Sequence, residues 1–289
     1  MDFTLNDEQR QIYEYGGQLA QKFDNGYWLE HARRKAFPRE MFAKIAEDGF
    51  LGLMVPEEYG GAGLGLPEMA LFMEGTSNHG IPLLSIVVGP CMSLSHLAKH
   101  GSEFQRRELL PAACRGDIKF CFAITEAGAG ANSMKMTTIA KQKGNRFSLN
   151  GEKTFITSAD QSDYCLVVAR TTPHDQVAKK TDGFTLFAVD LKKKGIDMQR
   201  IRISIPLPEE QWTLFFDDVD LGPEDIVGEI DNGFSILFDT LNPERILVAA
   251  ICCGVGRFAL DKAVTYASER NVFGQPIGGH QGVQHPLAK

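Results

Sequence analysis

The chain has 289 residues, 43% of them hydrophobic and 23% charged, which points to an ordinary globular protein of two or three domains and excludes a disordered or low-complexity one. Its formal net charge of -7, with acidic and basic residues mixed throughout, excludes the clustered Lys and Arg of a nucleic-acid footprint, so any anionic ligand has to be held locally. No apolar run approaches the roughly 20 residues of a membrane span, and Met1-Asp2-Phe3-Thr4-Leu5 lacks a signal peptide's basic and apolar regions; the expected location is a bacterial cytoplasm or a mitochondrial matrix.

From Asn6 to about Gly116 apolar residues recur at helical spacing, as in Phe42, Ile45, Ala46 and Phe50. Breaks fall at Phe37-Pro38, at Val55-Pro56 and in the stretch Gly60 to Gly65. That stretch has the wrong spacing for a phosphate loop and no Lys-Ser/Thr after it, so it reads as a flexible turn. Residues 1–118 are expected to form a helical N-terminal domain.

Near Lys119 the pattern changes to short apolar runs: Phe120 to Thr125, Arg146 to Leu149, Thr154 to Thr157, Tyr164 to Ala169, Phe184 to Val189 and Thr213 to Phe216. Asn150-Gly151 suits a type I′ turn and predicts a hairpin there. Residues 119–226 are expected to form a central β domain, barrel-like or a sandwich. After Gly228 helical spacing returns, densest from Arg245 to Arg270, and Pro286-Leu287-Ala288 opens another helix. Residues 227–289 read as the truncated start of a C-terminal helical bundle, giving an α+β multidomain fold.

Six cysteines show no CxxC and seven histidines no metal spacing, so reduced thiols and no structural metal are expected. Adjacent Cys252 and Cys253 read as packing residues. Gly254-Val255-Gly256-Arg257-Phe258-Ala259 fits GxGxxA, but that dinucleotide motif requires a preceding strand, and a helical pattern precedes it here. Close helix packing through small residues is the better reading.

Two elements suit a flat or anionic ligand. In Phe120 to Asn132 an apolar strand opens into a loop of small residues, which lets backbone N–H groups approach a ligand, although an ordinary strand and turn has the same composition. In Asn150 to Thr157 strand alternation predicts that Phe155 and Thr157 share a face, suited to a flavin edge and equally to core packing.

These segments, with Val55-Pro56-Glu57-Glu58-Tyr59-Gly60-Gly61, Phe216-Asp217-Asp218-Val219, Asn232-Gly233-Phe234, Pro243-Glu244-Arg245-Ile246 and Arg270-Asn271-Val272-Phe273-Gly274-Gln275-Pro276-Ile277, run in order along essentially the whole chain. Together they resemble the acyl-CoA dehydrogenase family. The resemblance implies a helical domain, a β domain and a four-helix domain, with FAD between the last two and a neighbouring subunit of a homotetramer. It places Phe122, Ile124 and Thr125 along the flavin, and Phe155, Ile156 and Thr157 over its other side. It places Arg270 at the pyrophosphate of a partner's FAD, with Val272, Phe273, His280 and Gln281 lining the same site. Where the family usually has Ser and Asp this chain has Ala131 and Asn132, so only backbone contacts to cofactor or thioester remain there. Phe155 stands where many members have Trp.

Dehydrogenation of an acyl-CoA to the 2-enoyl-CoA needs a carboxylate for the α proton and an acceptor for the β hydride. In the isovaleryl and long-chain branches of the family the Glu precedes an Arg on the long helix, and Glu244 has that position, with Asn242 and Arg245 in the substrate-contacting segment. The competing base is a Glu beyond Lys289. A solvated or salt-bridged Glu244 is the non-catalytic alternative. Pro243 either starts a new helix or interrupts a continuous one. An electron-transfer flavoprotein is the implied electron acceptor. Rival readings are an acyl-CoA oxidase or flavin monooxygenase of the same fold, or a non-catalytic acyl-CoA-binding relative. The 289-residue chain alone is expected to bind FAD weakly and assemble poorly.

Overall fold

A computed structural model describes residues 4–289; Met1-Asp2-Phe3, part of the expected leaderless start, lie outside the described residues. Helix α1 (Asp7–Lys22) begins at Asn6, whose side chain accepts the Gln9 N–H at 2.8 Å while the Gln9 side chain accepts the Asn6 N–H. Helices α2 (Asn25–Arg34), α3 (Arg39–Glu47) and α4 (Leu66–Ser77) follow, with the Phe37-Pro38 break between α2 and α3 as expected. The stretch before α4 is no flexible turn. Gly61, Ala62, Gly63 and Leu64 all donate backbone N–H groups to carbonyls of residues 52–56, and a Cβ on Gly61 would lie 2.0 Å from the Val55 carbonyl oxygen.

Next comes a continuous helical run: α5 (Leu84–Ile86), a π-helical stretch Val87–Leu94, and α6 (Ser95–His100). Pro90 sits inside the π stretch and brings no N–H. The Ser93 hydroxyl donates to the Val88 carbonyl at 2.8 Å, occupying one of the acceptors in the wide turns. Helix α7 (Leu110–Cys114) closes the helical region.

The sheet comprises β1 (Phe120–Ala123), β2 (Ile139–Lys143), β3 (Arg146–Thr157), β4 (Tyr164–Arg170), β5 (Phe184–Asp190), β6 (Ile196–Ile201), β7 (Gln211–Leu221) and β8 (Ile226–Val227). Its order is β6-β7-β3-β2-β4-β5-β8, with β1 parallel to β4. The end strands β6 and β8 do not pair with each other, so of the two expected forms, barrel-like or sandwich, the central β domain is no closed barrel. Both faces of β4 and β5 are covered. Leu166, Val168, Phe184 and Leu186 join the core shared with the helices, while Cys165, Val167, Phe187 and Val189 join a second core on the other face. Two covered faces explain why these strands are continuously apolar rather than alternating.

Asn150-Gly151 does not make a hairpin. Both lie inside the single strand β3, at a register shift against β7. Asn150 is held there by Asp218, whose N–H donates to its side chain at 3.0 Å, and Gly151 takes φ +136°. The turn falls earlier, at Gly144 (φ +68°), where Lys143 pairs with Arg146.

Helix α8 (Gly233–Glu269) runs unbroken through Pro243. A hairpin of β9 (Asn271–Val272) and β10 (Gln275–Pro276) and a last helix α9 (Gln281–Ala288) follow it. Gly254 explains half of the GxGxxA match: a Cβ there would lie 2.4 Å from the Glu74 carbonyl on α4, whereas Gly256 meets nothing within 4 Å. Cys252 and Cys253 are exposed on α8, not packed as expected; the other four cysteines are buried. Among the described residues no helix is long and apolar enough to cross a membrane, and no cluster of three or more His, Cys, Asp or Glu is arranged to hold a metal.

Candidate active site

The exit of β1 and the bulged end of β3 meet through a backbone bond from Thr154 N–H to the Thr125 carbonyl at 2.9 Å. Beneath this junction lies Lys153, fully buried, its ammonium donating to the Ile124 carbonyl at 3.0 Å and to Glu126 Oε1 at 2.9 Å. Glu126 also accepts the Thr137 N–H (2.6 Å), the Thr137 hydroxyl (2.9 Å) and the Thr138 N–H (2.9 Å). Burial pushes the Glu126 pKa up, but the Lys153 charge and these donors outweigh it and hold the carboxyl at about 2. Burial pulls Lys153 down to about 8 against the raising effect of Glu126. With the carboxylate so firmly ionised, a charged pair is the state the geometry supports at neutral pH.

Above the pair, donors are left over. Thr125 N–H and the Thr125 hydroxyl meet no hydrogen-bond partner among the described residues. Gly128 and Gly130 have neither positive φ nor any atom within 4 Å of where a Cβ would sit. The fold itself therefore does not require glycine there, which is what a loop shaped for close approach of a ligand would show. Ala131 and Asn132 are exposed on the same loop.

A second bulge, between Lys153 and Ile156, places Phe155 at φ +58° and turns its ring 59% into solvent. Thr157 is buried and exchanges hydrogen bonds with the Gln211 side chain at 3.0–3.1 Å, so the expected shared face of Phe155 and Thr157 is lost. Ile156 is buried in the second core. Phe122 on β1 is buried in the core shared with the helices, while Ile124 and Thr125, just past the end of the strand, are half-buried. The surface available to a planar ligand is thus Ile124, Thr125, the glycine loop and the exposed Phe155 ring. Unpartnered donors beside an apolar ring fit the rim and face of a flavin.

Glu244 lies one helical segment away. The π-helical stretch Val87–Leu94 is packed between β1 and α8: the Ser93 hydroxyl, which has the Val88 carbonyl as its nearer acceptor, shares its single proton with the Cys121 carbonyl at 3.2 Å on one side, and Thr240 donates to the Met92 carbonyl at 3.4 Å on the other. Glu244 is half-buried and close enough to Cys91 to raise that thiol's pKa, second to the effect of burial. Among the described residues no hydrogen bond or ion pair holds its carboxylate, because Arg245 instead bonds the Asn242 side chain at 2.9 Å. The salt-bridged alternative is absent. Burial raises the Glu244 pKa and Arg245 lowers it less, leaving it above the ordinary glutamate value.

The remaining predicted residues form a separate patch. Phe273 (φ +53°) and Gly274 (φ +79°) make the two-residue turn between β9 and β10, a conformation with both residues left-handed. Phe273 is 95% exposed, and Arg270, Val272 and Gln281 are exposed beside it, with His280 half-buried. Among the described residues no hydrogen bond or ion pair links them to Thr125 or Phe155 within one chain, and the expectation for Arg270, Val272, Phe273, His280 and Gln281 concerns a partner's FAD. Sequence reasoning did not single out Lys153 or Glu126; the signal was two opposite charges inside otherwise apolar or small-residue elements.

The descriptions "Acyl-CoA dehydrogenase, N-terminal domain", "middle domain" and "C-terminal domain" match residues 6–117, 121–219 and 231–289. The chain is 38% identical to acyl-CoA dehydrogenase FadE12 of Mycobacterium tuberculosis over 289 residues, 99% of this chain and 73% of the relative. It is 33% identical to the caffeyl-CoA reductase-Etf complex subunit CarC of Acetobacterium woodii over 254 residues, 87% of this chain and 66% of CarC. Among solved structures, glutaryl-coenzyme A dehydrogenase in complex with glutaryl-CoA superposes with a TM-score of 0.94 at 28% identity, covering 100% of this chain and 73% of that one.

Proposed function

This chain belongs to the acyl-CoA dehydrogenase family, and from that premise we propose that it converts a saturated acyl-CoA to the 2-enoyl-CoA, with Glu244 as the base and FAD as cofactor. The coarser statement is that of an acyl-CoA dehydrogenase-type oxidoreductase. The observation that carries the finer reading is Glu244 itself: a half-buried carboxylate with no protein partner and a raised pKa, on a helix packed across one segment from a loop of unpartnered donors. A carboxylate that serves only structure is usually paired.

When bound, FAD supplies the acceptor for the β hydride. The chain's own residues do the rest. Ile124, the exposed Phe155 ring and the open glycine loop would receive the flat ring, with the Thr125 N–H and hydroxyl as donors to its polar rim. Glu244 takes the α proton; its raised pKa makes it the stronger base, and closing water out of the site would raise it further. The α proton becomes acidic only if donors bind the thioester carbonyl, and Ala131 offers a backbone N–H for that purpose. Arg270 is exposed with its guanidinium unpaired, as pyrophosphate binding across a subunit boundary would require. The exposed apolar residues Phe238, Ile246, Val255, Leu260 and Val264 leave a face of α8 for other helices of the expected bundle or another subunit to cover; a homotetramer is the assembly carried over with the family reading.

The test is anaerobic mixing of the FAD-loaded protein with saturated acyl-CoA thioesters. Loss of flavin absorbance with formation of 2-enoyl-CoA by mass spectrometry is expected, followed by reoxidation by an electron-transfer flavoprotein. Turnover needing only oxygen would replace the dehydrogenase reading with an oxidase one. No bleaching with any chain length would leave acyl-CoA binding without chemistry.

A further inference from the structure

The buried Lys153–Glu126 pair has no part in the reaction as drawn, yet it touches the backbone of the flavin-facing loop. All three Lys153 donors have acceptors inside the protein: the Ile124 carbonyl at 3.0 Å, Glu126 Oε1 at 2.9 Å and the Met136 sulfur at 3.7 Å. Lys153 therefore has no donor for a ligand and can act only through its neighbours. The neighbour that matters is the Ile124–Thr125 peptide. In a trans peptide the C=O and N–H lie on opposite edges, and the chain has no cis bonds among the described residues. With the Ile124 carbonyl turned inward to the ammonium, the Thr125 N–H is turned outward, where it meets no protein acceptor.

A cation on the carbonyl draws electron density from the amide and makes its N–H a better donor, and the low dielectric around a fully buried ammonium preserves the effect. A strut meant only to tie the loop to β3 would not need charge, since buried ion pairs are frequently replaceable by apolar side chains without loss of stability.

We propose that Lys153 is a positioning residue for the redox chemistry: held by Glu126, it polarises the Ile124–Thr125 peptide and so strengthens Thr125 N–H as a donor to bound flavin, favouring the electron-rich reduced form. The inference rests on the FAD reading given above. Its test is the midpoint potential of FAD bound to the full chain, measured by spectroelectrochemistry together with the FAD dissociation constant.

The neutral pair Lys153→Met with Glu126→Gln removes the cation without stranding a buried charge. Binding of reduced relative to oxidised FAD should fall about tenfold, a potential about 30 mV more negative, because a hydrogen bond with charged character outweighs a neutral one by about that factor. Glu126→Gln alone removes the partner that keeps the buried lysine charged, so Lys153 loses its proton near neutral pH and the potential should move in the same direction as in the neutral pair. Lys153→Arg keeps the cation and should restore most of the wild-type value. A weaker FAD affinity with unchanged potential in the neutral pair would reduce Lys153 to a strut and overturn the proposal. If the neutral pair takes up no FAD, Glu126→Gln decides, and an unchanged or more positive value there overturns it. Absence of any FAD binding by the wild-type protein, as distinct from the weak binding expected of the 289 residues alone, would sink the cofactor reading and this inference together, whereas potentials that do not respond in flavin-bound variants sink this inference alone.

Discussion

Glu244→Gln separates catalysis from structure because of how little holds Glu244. Its carboxylate has no hydrogen bond or ion pair among the described residues, and its neighbour Arg245 already bonds Asn242, so the amide replaces it without breaking a polar contact. The pH linkage has a definite sign. A carboxyl whose folded pKa is raised contributes stability that is fully present below its unfolded pKa and is lost as pH rises through the folded one. Glu244 is raised by burial, partly offset by Arg245, so near pH 7 the ionised side chain opposes folding and the glutamine does not. The variant should therefore match or slightly exceed the wild type in thermal midpoint. Exchange of the acyl-CoA α hydrogens in deuterium oxide, followed by NMR, should fall by roughly 10²–10⁴, the usual worth of a positioned general base. In the wild type the exchange rate should climb with pH along a limb displaced above the ordinary glutamate range, and the variant should lack that limb. Exchange within a few-fold of wild type would exclude Glu244 as base. A midpoint several degrees lower would show a structural contact that the geometry does not contain.

Three further outcomes follow from packing and burial. Lys153→Met alone strands Glu126, which is 5% exposed, and should cost about 3–5 kcal/mol in urea unfolding; a cost under about 1 kcal/mol would mean Glu126 is neutral in the fold. Gly254→Val drives a side chain into the α4 backbone and should cost at least 1–3 kcal/mol, whereas Gly256→Ala, in open space on the same helix, should be neutral or stabilising by up to about 1 kcal/mol. Equal effects at the two glycines would refute the α4–α8 contact. Glu209 is buried and its pKa is pushed up from 4.5 to about 7 by that burial, despite bonds from the Leu84 and Ser85 N–H groups. Its folded pKa is raised, so stability relative to Glu209→Gln should decline as pH rises from 4.5 to 7, by about 3 kcal/mol in all. Parallel pH profiles for the two proteins would show that Glu209 does not titrate in the fold.

The sequence made the order of helical and β regions legible because core-facing spacing is written in residue type. Phe42, Ile45 and Ala46 on α3 are buried as their spacing requires. It misplaced the features that depend on a neighbouring strand. Asn150-Gly151 has the composition of a turn, but Asp218 on β7 captures Asn150 and converts the pair into a bulge. Phe155 and Thr157 alternate in sequence, yet the second bulge rotates Phe155 outward. Strand β2, Ile-Ala-Lys-Gln-Lys, was invisible because its last three residues are exposed and carry no apolar signal. The Glu126–Lys153 pair was illegible for a related reason: two charged residues 27 apart give no local sign that both are buried.

Glu244 owes its placement to anchors on either side of it along α8. On the N-terminal side Asp239 accepts from His100 at 2.8 Å, and Thr240 bonds His96 at 2.6 Å. On the C-terminal side Gly254 lies against α4, and Arg257 bonds Glu74 at 3.2 Å. Between these anchors Pro243 removes the helix hydrogen bond that would otherwise run to the Asp239 carbonyl. A base needs its carboxylate position fixed and its proton affinity left free. Two clamps outside the reacting turn, and no partner within it, meet both needs. Loosening a clamp should therefore act on exchange through geometry: His96→Ala, which removes the Thr240 bond without touching Glu244, should slow α-proton exchange while leaving the pH at which the limb rises in place. A shifted limb with an unchanged plateau would instead mean that the clamps set the electrostatics of Glu244 rather than its position.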